Sequence, residues 1–145
     1  FFMTVKQISV FLENKPGRLA ELTEVLSRNN IDMRALSLAE AADFGIVRLI
    51  VDDVYGASTV LKDADYIISI SRVLALEIPD EPGALGRAIT VLGENDINVE
   101  YMYAFTTRKK GVAFMIFRVE DNQRAIEVLK GSGIRPVCQE ELMSL

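Results

Sequence analysis

Histidine and tryptophan are absent from this chain, and cysteine occurs once, at Cys138. Without histidine there is no His-dependent triad, no imidazole metal ligand and no side chain whose ordinary pKa suits a general base near neutral pH. A single cysteine closes no disulfide within the chain and builds no thiolate cluster, so it reads as a small packing residue. Positive charge is also scarce: 21 acidic residues face 16 basic ones, a net charge of −5, and the only short basic run is Arg108-Lys109-Lys110. Nucleic-acid binding needs clustered Lys and Arg, so nucleic acid is not expected as a partner and that run reads as a solvated hairpin loop. No stretch approaches the ~20 consecutive apolar residues of a membrane span, and no signal peptide is recognisable. No membrane, metal or cofactor is expected. The chain reads as cytoplasmic, starting naturally at Met3 with Phe1-Phe2 a remnant ahead of it.

What is present is said twice. Glu13-Asn14-Lys15-Pro16-Gly17-Arg18-Leu19 returns as Pro79-Asp80-Glu81-Pro82-Gly83-Ala84-Leu85, an offset of 66 residues from Gly17 to Gly83. Asn30-Ile31-Asp32 recurs at the same offset as Asp96-Ile97-Asn98, and Gly45 as Gly111. A repeat of that length is a small folded unit rather than a solenoid turn. With 50% hydrophobic residues in 145, the chain has enough apolar material for a core in each copy.

Each copy alternates and then changes period. Ile8, Val10 and Leu12 predict a strand with one apolar face, matched by Leu74, Leu76 and Ile78. After the Pro-Gly pair, Leu19, Leu22, Val25 and Leu26 fall on one helical stripe, and Leu85, Ala88, Ile89 and Leu92 repeat it. Second strands are expected near 31–39 and 97–105, then hairpin loops around Ala41–Gly45 and Thr106–Gly111. Third strands follow near 46–51 and 112–118, with Val47, Leu49 and Val51 matching Ala113, Met115 and Phe117 as the inward face. Short helices carry Ala57, Val60 and Leu61 in one copy and Ile126, Val128 and Leu129 in the other. Fourth strands, Tyr66–Ser71 and Ile134–Val137, close the units, and Gln139–Leu145 adds a last helical turn. The fold class is therefore α+β: two tandem ferredoxin-like β-α-β-β-α-β units with antiparallel sheets, spanning 3–71 and 72–145. The far faces of the third strands carry Ile46, Arg48 and Ile50, and Val112, Phe114 and Ile116. An apolar second face implies either a cover from another sheet or chain, or ordinary surface hydrophobicity.

The Pro-Gly pairs carry the chemistry. Proline is tolerated in a first helical turn because its missing N–H has no partner there anyway. Glycine lets the backbone turn and lets another atom come close. The N–H groups that open the helix attract a carboxylate, and a free amino acid brings one together with an ammonium. The same pair also serves simply to end a strand and begin a helix. Two copies at one fold position favour a pair of ligand loops.

The sequence Asn14-Lys15-Pro16-Gly17-Arg18-Leu19 followed by Asn29-Asn30-Ile31-Asp32 resembles the ACT domain. So does Asp80-Glu81-Pro82-Gly83-Ala84-Leu85 followed by Asn95-Asp96-Ile97-Asn98. The resemblance spans essentially the whole chain. It implies a regulatory module, not an enzyme, that binds a free amino acid between ACT units and acts on a partner enzyme of amino-acid metabolism. It further implies ligand loops at Asn14, Lys15, Pro16, Gly17, Arg18 and Leu19, and at Glu81, Pro82, Gly83, Ala84 and Leu85. The walls would come from the second strands: Asp32 and Met33, and Asn98, Val99 and Tyr101. Arg18 faces Ala84 in the alignment of the copies, and Lys15 faces Glu81, so the two loops differ. The aromatic run Tyr101, Met102, Tyr103 and Phe105 is either a side-chain pocket or interface packing. A homodimer that stacks the sheet faces is the expected assembly. The alternative function is an interaction subunit that docks on a biosynthetic enzyme through its sheet face.

Overall fold

The computed structural model describes residues 3–145; Phe1 and Phe2, the expected remnant, lie outside the described residues. The chain divides into two compact units, Lys6–Ser71, and Arg72–Leu145 together with the lead-in up to Val5.

In the first unit, β1 (Val5–Glu13) runs into α1 (Arg18–Arg28), then β2 (Met33–Ala41), β3 (Phe44–Val51) and α2 (Val54–Asp63). The sheet order is β2-β3-β1 and all pairings are antiparallel. On the far side of β1 the Phe11 N–H donates to the Ile67 carbonyl at 3.0 Å. Ile8, Val10 and Leu12 of β1 and Val47, Leu49 and Val51 of β3 form one core with Leu22, Leu26, Ala57 and Leu61 of the helices. This is the alternation and the helical stripe read from the sequence, brought face to face.

The second unit repeats the plan. The strand β4 (Ile68–Pro79) leads to α3 (Ala84–Glu94), β5 (Tyr101–Phe105), β6 (Val112–Arg118), α4 (Asn122–Gly131), β7 (Arg135–Pro136) and α5 (Gln139–Met143). β4 sits between β6 and the two-residue β7, and β5 flanks β6. Its core joins Leu74, Leu76, Ile78 and Phe117 to Ala88, Leu92, Ala125, Ile126 and Leu129.

Helix stops and starts are duplicated to the atom. Asn30 and Asp96 take left-handed φ values of 57° and 58°. The Ile31 N–H then reaches back to the Leu26 carbonyl at 3.0 Å, and Ile97 to Leu92 at 2.9 Å. This is a left-handed helix stop with its apolar follower. Asp53 and Asp121 cap the second helices, accepting from Gly56 N–H at 2.9 Å and Arg124 N–H at 3.1 Å.

Four sequence expectations change. The fourth strand of unit one and the first of unit two are one continuous strand, β4, because no breaker separates Ile68 from Leu74. β5 begins only at Tyr101, so the expected strand start at 97–100 is extended chain held by the Glu100 N–H on Arg118 O at 2.9 Å. The offset does not stay at 66. Phe44 pairs with Glu13 while Val112 pairs with Pro79, so beyond the hairpin the offset is 68. Gly45 therefore corresponds to Ala113, not to Gly111. The first hairpin turns on Ala42-Asp43, with Ala42 at φ 56°, whereas the second is two residues longer and ends on Gly111 at φ 82°.

The far sheet face of the second unit is not an open surface. Phe114 is 1% exposed and Ile116 fully buried. Lys109, from the β5–β6 loop, sits 5.9 Å above the Phe114 ring and pairs with Glu77 at 3.1 Å. Arg135 pairs with the same Glu77 at 3.3 Å and also with Glu141 of α5, which draws the tail helix over this face. Lys109 is thus engaged rather than merely solvated.

Candidate functional site

Both Pro-Gly turns have one backbone. Gly17 lies at φ 87°, ψ −15° and Gly83 at φ 87°, ψ −12°. The Lys15 N–H bonds to Glu13 O at 2.9 Å, and the Glu81 N–H to Pro79 O at 2.9 Å. Arg18 and Ala84 each bond three residues back at 3.3 Å, and Glu21 and Arg87 bond to the Gly17 and Gly83 carbonyls at 3.0 Å. The Asn14 N–H holds Asp43 O of the neighbouring hairpin at 3.0 Å, as Asp80 holds Gly111 O at 3.1 Å. No side chain caps either helix. With Arg18 and Ala84 bonded to their own turns, the next amide donors, those of Leu19 and Ala20 in α1 and of Leu85 and Gly86 in α3, are left for an outside acceptor.

Side chains break this equivalence. In the first loop Glu13 accepts from Lys15 at 3.1 Å and from Arg18 at 3.2 Å, and Arg18 also reaches Glu21 at 2.9 Å. The hydrogen bond from Lys15, then the charges of Lys15 and Arg18, hold the Glu13 carboxyl below the ordinary glutamate range. Nearby, burial first and the Glu21 charge next push the Tyr66 phenol above its usual range. The second loop has Pro79, Glu81, Ala84 and Arg87 at the corresponding positions. Arg87 points to the Ser132 carbonyl instead, at 3.4 Å.

A cavity of about 70 Å³ opens at the first loop, lined by Leu12, Glu13, Asn14, Lys15, Leu19, Leu38, Glu40 and Gly45. It gathers Asn14, Lys15 and Leu19 of the expected ligand loop. The Asn14 amide ties the loop to the β2–β3 turn by donating to Ala42 O at 3.0 Å. Pro16 and Gly17 are exposed at the turn, and Arg18 is committed to its ion pairs.

Within the unit, Asp32 and Met33 do not line this cavity. Asp32 and Asp52 clasp each other, Asp32 N–H to Asp52 Oδ1 at 3.0 Å and Asp52 N–H to Asp32 O at 3.1 Å. Met33 packs on the core. The wall comes from the other end of β2, at Leu38 and Glu40, which the sequence reading passed over. Alternation along β2 was the available signal: Leu36, Leu38 and Glu40 share the helix side, paired with Leu49, Val47 and Gly45.

In the second unit, Ala84, Leu85 and Val99 pack against the core, while Pro82 and Glu81 are exposed. Asn98 lines a different cavity of about 250 Å³, with Asp96, Ile97, Glu100, Glu120, Asp121 and Arg124. That cavity lies where α3 ends and α4 begins, the opposite end of the unit from Glu81–Leu85. Tyr101 stacks on Tyr103 with ring centroids 6.4 Å apart. Tyr103 and Phe105 are buried, so these two serve packing. Among the described residues no cluster of His, Cys, Asp and Glu is arranged to hold a metal ion, and no helix is long and apolar enough to cross a membrane.

Comparison with known proteins agrees with this fold. The family model of an ACT domain pair matches residues 3–145. A crystal structure of a Bacteroides thetaiotaomicron protein is 41% identical, with 99% of this chain and 98% of that one covered at a TM-score of 0.90. The ligand-free regulatory subunit of aspartate kinase from Thermus thermophilus superposes at a TM-score of 0.61, with 13% identity and 88% and 91% of the chains covered. Aspartate kinase from Synechocystis gives 0.58 at 18% identity; 88% of this chain covers 24% of that one. These last two show the shared fold. A search of curated proteins finds no match.

Proposed function

The chain belongs to the ACT domain pair family, and from that premise we propose that it is an amino-acid-binding regulatory protein whose ligand sits at the Pro-Gly loops. The observation that carries this reading is the duplicated turn. Gly17 and Gly83 hold one left-handed geometry, and each opens a helix with no side-chain cap. Uncapped amide donors at a helix start attract a carboxylate. A ligand that binds one arrangement of the units better than another biases the assembly. By analogy with the regulatory subunit of aspartate kinase, the partner is an enzyme of amino-acid metabolism; the same proposal takes the cytoplasm as the site of action and a homodimer as the assembly.

The test is a thermal-melt screen against the twenty amino acids at millimolar concentration. A ligand at ~100 times its dissociation constant adds about 2.7 kcal/mol to the folded state. At ~2–4 °C per kcal/mol for a chain of this size, the midpoint rises by roughly 5–10 °C. A shift with one or a few amino acids supports the sensor, and no shift with any of them refutes it.

A second reading, the interaction subunit, is favoured by one observation. On the far face of the first unit's sheet, Phe11 and Phe44 are 45% and 42% exposed, with ring centroids 6.0 Å apart. In the second unit Phe114 and Ile116 are buried, so docking through those two residues is withdrawn.

A further inference from the structure

We propose that the exposed face of α3 is the contact surface between two copies of this chain: it pairs antiparallel with α3 of the second copy, Arg87 of each on Glu94 of the other. This rests on the homodimer of the reading above and not on its amino-acid site. It puts the contact on the helix layer instead of the sheet faces.

The charges of α3 stand at the wrong ends for a helix on its own. A helix dipole favours acidic residues at the N-terminus and basic ones at the C-terminus. α1 obeys this, with Glu21 in its first turn and Arg28 in its last. It also settles its charges internally, Arg18 on Glu21 at 2.9 Å and Arg28 on Glu24 at 3.9 Å. α3 reverses the order: Arg87 is near its start and Glu94 is its last residue. The two are two turns apart, about 10 Å along the axis, beyond the spacing of a pair within one helix. Glu94 has no side-chain partner among the described residues, and Arg87 has only the Ser132 carbonyl at 3.4 Å.

A second copy resolves both misplacements. In an antiparallel pair centred beside Thr90, Arg87 lies level with Glu94 of the other chain, and two-fold symmetry makes the contact twice. Each Glu94 then stands by the positive end of the neighbouring helix, and each Arg87 by the negative end.

The face between these charges carries little side chain. Gly86, Ile89, Thr90 and Gly93 are all exposed, Ile89 at 39%. Their counterparts in α1 are Ala20, Thr23, Glu24 and Ser27. Two glycines inside an 11-residue helix weaken it. The fold of the chain itself does not call for them, since a Cβ built at Gly86 or Gly93 meets nothing within 4 Å. A crossing helix does use them, because the bare backbone lets it come close. A single pair of helices this short falls below the ~1,200 Å² of a standard interface, so the dimer is weak and depends on concentration.

Sedimentation velocity of the full chain from micromolar to millimolar concentration tests this, with Arg87→Glu, Glu94→Arg and Gly93→Gln. The expected result is a monomer–dimer equilibrium that salt weakens. Each charge variant weakens it at least about tenfold, because like charges then meet twice. Both variants put a charge at the end the dipole favours, so the monomer keeps its fold. An equimolar mixture of the two dimerises again, since in the mixed pair each acidic position faces a basic one. Gly93→Gln raises the melting midpoint of the monomer, glutamine being the better helix former, and still weakens the dimer. A dimer untouched by both charge variants, or a mixture no stronger than either variant alone, overturns the inference and leaves the homodimer to another surface. A monomer at every concentration overturns the homodimer as well, whatever the amino-acid melt screen returns.

Discussion

Replacing Gly17 by alanine isolates the backbone of the ligand loop from everything else. A Cβ built at Gly17 or Gly83 meets no atom within 4 Å, so no collision contributes. What remains is the φ of 87° at each position, where an L-residue pays about 1–2 kcal/mol relative to the right-handed region. For a chain of this size that lowers the melting midpoint by roughly 2–8 °C per substitution. The strain is local at each turn, so Gly17→Ala and Gly83→Ala combine with a loss close to the sum. Asparagine adopts the left-handed region more readily than alanine, so Gly17→Asn loses less than Gly17→Ala. Urea unfolding of the four variants and the parent reads these differences directly. Alanine as stable as glycine, or asparagine no better than alanine, refutes the claim that the turn demands this backbone. The ligand provides a second readout: the added methyl points into the open space above the helix start, so the amino-acid-dependent melt shift shrinks even where the protein remains folded.

Other outcomes follow from the two cores and the loop charges. Leu26→Ala and Leu92→Ala, equivalent fully buried positions at the helix ends, each cost about 2–5 kcal/mol in urea unfolding, and a loss under 1 kcal/mol in either contradicts the core assignment. Ile116→Asp places a charge at a fully buried position; a loss beyond about 4 kcal/mol is expected, and an unchanged melt shows that face to be open. Glu13 titrates below the ordinary glutamate value of 4.5, first through the Lys15 hydrogen bond. A depressed carboxylate stabilises above its unfolded-state pKa, and that contribution disappears as pH falls through the folded value. Carbon-detected NMR titration measures it: Lys15→Ala moves the Glu13 midpoint up, and a parent midpoint at or above 4.5 rejects the ion-pair geometry.

The parts of this fold that a sequence reveals are those where one residue type is nearly compulsory. Gly17 and Gly83 were readable because φ of 87° admits little else. Ile31 and Ile97 were readable because a left-handed helix stop needs an apolar follower, and both pack into their cores. Apolar alternation placed Val47, Leu49 and Val51 inward without ambiguity of face. Its register was less secure, since a two-residue insertion preserves the period of two and every apolar match survives it. That is why Gly45 aligned with Gly111 by counting and with Ala113 by pairing. The far face was misread for a related reason. Alternation shows that Phe114 and Ile116 point away from the helices, but the cover formed through Glu77, Arg135 and Glu141 joins residues up to 64 positions apart.

The candidate site was legible by halves along the same division. Its loop half is a local backbone motif, and Asn14, Lys15 and Leu19 do line a cavity. Its wall half is a matter of which end of β2 reaches that loop, which hairpin registry decides: Glu40 pairs with Gly45 and Leu12 pairs with Gly45 from the other side. One residue of β3 thus sets β1 and β2 to the same level, and brings Glu40 beside the strand end that carries Glu13. In the second unit Ala113 holds that place, paired with Ile78, while β5 ends at Phe105 and pairs no further than Phe114. The longer second hairpin therefore withdraws the paired wall that Glu40 provides in the first. Duplication preserved the turn that presents amide donors, and a two-residue change in a hairpin altered what stands opposite it; charge at Lys15 and Glu81 diverged in the same two loops. In the first unit Glu40 thus stands paired at the level of the loop, and in the second no residue of β5 is paired there.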